Sequence, residues 1–262
     1  MYFEVDGQTV FAAGRLTADA GTPPVVLVHG AAMDHTVWVY HTRYFMHIGR
    51  GVVAPDLPGH GHSGGAPLSS VEAMARWLLG VLDVLDLPAV ALAGHSLGAL
   101  VALEAAGRAA PRIARLALLG AAFPMPVSEL LLNAAKANAP ESRDMMMIWG
   151  HGPSAQYGAN PVSGIHIVNS SMRLLEKAQP GLLHTDLKAC NDYAHGAEAA
   201  AAVRARTTFI CGSEDRMTPL PAARQLAAGM SNSAVATIAG AGHIMMSEQP
   251  ELTHRQLVAA LA

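Results

Sequence analysis

The sequence predicts a doubly wound α/β fold on a mostly parallel, eight-stranded sheet, and three features predict it. Short apolar runs alternate with helical patterns over residues 1–122 and again over 203–262. One of these runs passes through a tight turn, Gly94-His95-Ser96-Leu97-Gly98, straight into a small-residue helix. Between the two regions, over residues 123–202, the alternation stops and helical pieces are interrupted by Pro124, Pro126, Pro140, Pro153, Pro161 and Pro180. That composition predicts a helical cap inserted into the sheet domain.

Bulk properties bound the function classes. With 262 residues, 51% hydrophobic and only 14% charged, the chain has apolar material for one large core with an insertion rather than for two domains. A net charge of −3 without a basic stripe argues against nucleic acid as a partner. The start, MYFEVDGQTV, has neither a basic nor an apolar leader region, so a cytoplasmic location is expected. The apolar window at 89–107 carries His95, Glu104 and several glycines, which argues against a membrane span. Cys190 and Cys211 stand at no metal-ligand spacing and are expected to be reduced packing residues.

Taken in order, residues 2–5 and 9–15 alternate around Asp6-Gly7, a hairpin signal at one sheet edge. Residues 25–28, Val-Val-Leu-Val, form a run suited to burial on both faces of a parallel strand. The run ends in His29-Gly30-Ala31-Ala32, whose small residues let the backbone approach a ligand, and the Ala31 N–H is a candidate oxyanion donor. The same four residues also suit a plain strand-to-helix turn. Residues 36–47 space aromatics helically, Gly49 stops them, and 52–54 is the next strand. The loop Asp56-Leu57-Pro58-Gly59-His60-Gly61-His62-Ser63-Gly64 is too rich in glycine and proline for regular structure. His60 and His62 form an H-x-H pair but lack further ligands nearby, so no metal site is expected, and Asp56 and Ser63 should bond local backbone. Ser69 and Glu72 read as a capping box for a helix running to about residue 86.

The Ser96 turn carries the chemistry. A strand entering a helix so sharply needs glycine two residues either side of the serine, holds its hydroxyl in the open, and leaves the Leu97 N–H unpaired at the positive end of the helix. A strand at 116–119 follows. Beyond the cap, strands at 207–211 and 234–238 each end at a polar loop, Gly212-Ser213-Glu214-Asp215 and Gly240-Ala241-Gly242-His243. A final helix from about residue 249 closes the chain, with His254 on its solvated side. Parallel strands put Ser96, Asp215 and His243 on one rim. Within the cap, Met145, Met146, Met147 and Trp149 either line an apolar pocket or pack the cap on the core.

The order Ser96, Asp215, His243, together with His29-Gly30, the Asp56 to Gly61 loop and the GHSLG turn, resembles the α/β-hydrolase family, in its capped serine esterase form, over essentially the whole chain. The resemblance implies Ser96 as nucleophile, His243 as base, Asp215 rather than Glu214 as acid, and the amides of Ala31 and Leu97 as the oxyanion hole. It takes His29 and His95 as scaffold. A pocket including Ala32, Met145, Met146, Trp149 and Ile244 is expected to receive a small or medium apolar carboxylic ester, with no cofactor and no metal. Acyl transfer, carbon–carbon bond hydrolysis, peroxide chemistry and hydroxynitrile cleavage run on the same triad elsewhere in the family, and a non-catalytic small-ligand receptor is the alternative from another class. Haloalkane dehalogenases and epoxide hydrolases need a carboxylate where Ser96 stands.

Overall fold

The computed structural model describes residues 1–17, 21–159, 161 and 164–262. Strands β1 (Tyr2–Val5) and β2 (Gln8–Arg15) form the hairpin, with Asp6 and Gly7 both at positive φ, 50° and 73°, as a type I′ turn requires. Then follow β3 (Val25–Val28), a 3₁₀ turn at His35–Trp38, α1 (Val39–His47), β4 (Val52–Pro55), α2 (Val71–Val84), β5 (Val90–His95), α3 (Leu97–Arg108) and β6 (Ile113–Leu119). Six helices come next: α4 (Glu129–Lys136), α5 (Pro140–Gly150), α6 (Pro153–Gln156), α7 (Ile167–Lys177), α8 (Leu182–Asp192) and α9 (Gly196–Ala202). The chain ends with β7 (Arg206–Gly212), α10 (Leu220–Ala228), β8 (Ser233–Ile238), α11 (Met245–Glu248) and α12 (Pro250–Leu261).

The sheet has eight strands in the order β1-β2-β4-β3-β5-β6-β7-β8. β2 runs antiparallel to both its neighbours, β1 and β4, and all other pairings are parallel. The apolar run of β3 explains why such a strand sits centrally. Val26 and Val28 enter a core shared with α2, α3, α9 and α10, while Val25 and Leu27 enter a second core with α1, α11 and α12. All four are fully buried, so the alternation of Cβ directions fills both faces at once. Each such side chain contributes on the order of 1.5–3 kcal/mol by leaving water. Between β6 and β7 no strand occurs among the described residues, and α9 packs back along α3.

Several boundaries differ from expectation. The cap of α2 is Ser70, whose hydroxyl accepts from Ala73 N at 3.2 Å, so Ser69 and Glu72 make no capping box. That helix stops at Val84, and Asp86 turns the chain at φ 51°. Residues 35–38 wind as a 3₁₀ turn because Asp34 accepts from Thr36 N there. The short α11 directly after His243 had no sequence counterpart. His254 is not solvated: α12 lies against α1, placing its ring 3.7 Å from that of Tyr44 and stacked 5.8 Å from that of His41. No helix among the described residues is long and apolar enough to cross a membrane.

Candidate active site

Parallel topology brings the loops after β3, β4, β5, β7 and β8 to one rim of the sheet. At the end of β5 the chain reverses at Ser96, whose φ of 55° and ψ of −119° lie outside the comfortable range for a residue with a side chain. The surroundings enforce it. Ser96 N donates to Leu119 O at 2.9 Å, and its carbonyl accepts from Ala99 N at 2.8 Å to start α3. The two flanking glycines are required by contact: a Cβ on Gly94 would stand 2.0 Å from Gly98 O, and one on Gly98 would stand 2.4 Å from His29 O. Leu97 opens α3, so its N–H has no acceptor one turn back.

Asp215 and His243 meet across the ends of β7 and β8. His243 Nδ1 donates to Asp215 Oδ2 at 2.8 Å, and the other carboxylate oxygen accepts from the amides of Met217 and Thr218, each at 2.9 Å. Thr218 Oγ1 donates to the same Oδ2 at 2.7 Å. Burial works to raise the Asp215 pKa, but the imidazole and these donors outweigh it and hold the carboxyl below its usual range. With Nδ1 committed, the lone pair of His243 is left on Nε2, a buried atom with no hydrogen-bond partner among the described residues. Glu214, the neighbouring carboxylate, is exposed and accepts from Ser213 Oγ at 3.4 Å.

The loop carrying His243 is tied down on three sides. Its amide donates to Gly150 O at 2.9 Å, its carbonyl accepts from His95 Nε2 at 2.9 Å, and Gly242 N donates to the buried carboxylate of Glu248. Glu248 also accepts from Gly152 N at 2.8 Å, joining this loop to the end of α5. His95, enclosed and beside the His243 ring, is lowered to a pKa of about 3, mainly by burial. His29 accepts from Leu57 N through Nε2 and is lowered to about 4 by burial and then by the charge of His60. Both are neutral supports.

Ser96 and His243 line one cavity of about 200 Å³, together with Ala31 from the β3 loop. No hydrogen bond joins the hydroxyl to Nε2, an arrangement that often tightens only when substrate is bound. Of the expected pocket residues, Met146 and Trp149 line this cavity, whereas Ala32, Met145 and Ile244 do not. Ile244 lines a second cavity of about 110 Å³ that shares Met33 and Met146 with the first. Met145 packs instead against the main core. The walls that sequence reasoning missed are Met33, Met125, Leu131, Leu187, Cys190 and Met217. For Leu187 and Cys190 a signal existed, since with residue 186 they fall on one face of α8. Cys190 is thus a cavity wall as well as a packing residue, and burial raises its thiol far above the ordinary value.

The His60-x-His62 pair is split. His60 Nε2 bonds Asp186 at 2.8 Å, while the His62 ring packs 5.1 Å from that of Phe11. Asp34, His35 and Asp56 bring donor atoms within 4.8 Å of one another. Hydrogen bonds account for that cluster, because Asp56 accepts from the His35 ring and from the amides of His35 and His62, and Asp34 caps the 3₁₀ turn.

A sequence model of the alpha/beta hydrolase family matches residues 25–256. The pimeloyl-[acyl-carrier protein] methyl ester esterase of Aromatoleum aromaticum is 30% identical over 247 residues, 87% of this chain and 94% of that protein. The 2-hydroxymuconate semialdehyde hydrolase of a Pseudomonas species is 27% identical over 90% of this chain and 87% of its own. A 40% identical match to the dihydrolipoyllysine-residue acetyltransferase component of the acetoin cleaving system of Pseudomonas putida covers only 41% of this chain and 29% of that protein. Among solved structures, the enol-lactonase from Burkholderia xenovorans superposes with a TM-score of 0.86 at 20% identity, covering 100% of this chain and 99% of that one. A thermophilic esterase from Thermogutta terrifontis does so at 0.84 and 22%, covering 99% and 97%.

Proposed function

The chain belongs to the alpha/beta hydrolase family, and from that premise we propose that it cleaves carboxylic esters of small to medium apolar acyl groups through an acyl-enzyme on Ser96. Hydrolase chemistry is the coarse conclusion that its relatives support. The observation that carries the finer one is the His243 ring lining the same cavity as Ser96, its Nε2 without a partner among the described residues and its Nδ1 already held by Asp215.

In this reading His243 Nε2 takes the Ser96 proton as the oxygen attacks the ester carbonyl, and returns it to the departing alcohol. Asp215 fixes the tautomer and steadies the imidazolium. The amides of Ala31 and Leu97 receive the negative charge on the carbonyl oxygen, a contribution of roughly 2.7–4 kcal/mol per donor in comparable sites. Water activated by the same histidine then releases the acid. Helices α4 to α8 act as the cap, and methionine, leucine and tryptophan side chains around the cavity favour an apolar acyl group. Arg216, an exposed residue, is the one permanently charged side chain of the lining among the described residues.

Purified protein should release p-nitrophenol from short-chain and medium-chain p-nitrophenyl esters, and Ser96→Ala should not; equal rates would remove the proposal. A second reading, hydrolysis of a carbon–carbon bond, draws on the likeness to the 2-hydroxymuconate semialdehyde hydrolase. Consumption of that semialdehyde without any ester turnover would put it first.

A further inference from the structure

We infer that Asp186 is the positioning residue of the oxyanion loop: its buried carboxylate, braced by His60, holds the turn at Ala31–Ala32 so that the Ala31 amide faces the cavity. The inference rests on the ester-hydrolase reading above.

The loop geometry sets the requirement. Ala31 has rigid peptide planes on both sides, and each is anchored by a hydrogen bond to the surrounding protein. On the first plane, Gly30 O accepts from His29 Nδ1 at 2.9 Å and from Met33 N at 3.2 Å. A trans peptide directs its N–H opposite to its carbonyl, so the Ala31 N–H points away from that scaffold, and it has no acceptor among the described residues. On the second plane, Ala32 N donates to Asp186 Oδ2 at 2.7 Å. Ala32 itself sits at φ 51°, a left-handed conformation that an alanine does not adopt without a compensating tie. Asp186 is that tie, reaching the loop from 154 residues further along the chain.

The carboxylate is fully buried, which is costly unless it is paired. The pairing comes from His60, whose Nε2 donates to the same Oδ2 at 2.8 Å while its Nδ1 donates to Pro58 O at 3.0 Å. With both ring nitrogens facing acceptors, the surroundings favour the imidazolium form of the ring. Burial opposes that charge, but the bond to Asp186 and its field prevail and raise the pKa. The neutralisation matters for catalysis, because a bare carboxylate behind the loop would repel the developing oxyanion. The same helix, α8, sends Leu187 and Cys190 into the cavity wall. One element therefore both touches the acyl group and holds the amide that answers it.

The test compares Asp186→Leu, Asp186→Asn and His60→Gln with the wild type on the best p-nitrophenyl ester, alongside binding of an alkyl trifluoromethyl ketone, which adds to Ser96 and places charge in the oxyanion hole. Asp186→Leu should lose about 100-fold in kcat with KM within about twofold, and an equal factor in ketone affinity, the size expected for a misplaced donor. Asp186→Asn keeps an oxygen for Ala32 N–H and should lose only about tenfold, as should His60→Gln, which leaves the carboxylate unneutralised. Should the leucine variant fail to fold, the other two decide. Wild-type kcat in both overturns the inference, as does a kcat loss with unchanged ketone affinity, the mark of a merely structural role. A wild type inert toward every ester and toward a fluorophosphonate removes the ester-hydrolase reading, and this inference with it. A loss confined to the variants concerns the inference alone.

Discussion

Lowering the pH should destabilise this protein through His41, and replacing that residue should remove a calculable part of the loss. His41, on α1, is fully buried where α12 packs, and neither ring nitrogen has a hydrogen-bond partner among the described residues. Burial first, and the charge of His254 second, push its pKa from 6.5 down to about 3. In the folded protein the ring therefore stays neutral at pH 5, whereas in the unfolded chain it takes a proton below about 6.5. The unfolded state binds more protons, so the stability is fully present above pH 6.5 and drains away as the pH falls toward 3. Between pH 7 and 5 this one ring accounts for about 2 kcal/mol, from 1.36 kcal/mol per unit over the roughly 1.5 units that lie below the unfolded pKa. The figure does not depend on the folded value so long as it lies well below 5. Urea unfolding of wild type and His41→Phe at both pH values isolates it. The bulkier ring shifts stability at either pH by an unrelated packing amount, but the loss between them should shrink by about 2 kcal/mol. An unchanged loss would mean that this imidazole titrates as freely folded as unfolded, and would refute the reasoning. His35 and His60, whose pKa values are raised, push in the opposite sense in both proteins and cancel in the comparison.

Two glycines in different settings should respond oppositely to alanine. Gly94→Ala puts a Cβ 2.0 Å from a backbone oxygen that no rotamer change can move, so the elbow must shift by about 1 Å; kcat should fall about 100-fold or more, and thermal unfolding should report at least about 1–3 kcal/mol of destabilisation. Gly80→Ala, inside α2 and 3.4 Å from Val5 Cγ1, should instead stabilise by about 0.5–1 kcal/mol with kinetics unchanged. Met146, with Met33, lines both apolar cavities of about 200 and 110 Å³; Met146→Ala should join them and move the preferred acyl chain longer by several carbons in a p-nitrophenyl ester series, and an unshifted profile would show that the second cavity takes no part in binding.

How much of this was legible in the chain follows from the range of the forces involved. The elbow could be read because its demands are local: Gly94 and Gly98 answer collisions within a few residues or with the adjacent strand, and a strand-to-helix pattern frames them. The positions of Asp215 and His243 could be read because parallel strands place every carboxyl-end loop on one rim. The choice of Ser69 over Ser70 failed for a simple reason, since adjacent serines offer the same hydroxyl and the last backbone turn selects between them. His254 was misplaced because helix periodicity identifies a face but not the element that will cover it, here α1 with Tyr44 and His41.

The cavity walls were harder for the same reason carried further. Ala32 and Met145 have neighbours that do line the cavity, Ala31 and Met146, and a helix or turn rotated by one residue decides which faces it. The contact of Asp186 with His60 and Ala32 lies beyond pattern altogether, because aspartate on an amphipathic helix reads as a solvated residue and the partners are 126 and 154 residues away. Its presence nonetheless follows from physics once the fold is known: an alanine at positive φ and a histidine with two committed nitrogens both require an acceptor, and one buried oxygen meets both needs. The side chains proposed as nucleophile, base and acid are thus placed by local rules within each loop, while the setting of the proposed oxyanion amide depends on a helix that packs over the rim. Changes in α8 should accordingly alter turnover without touching the triad, which is the distinction that the Asp186 variants measure.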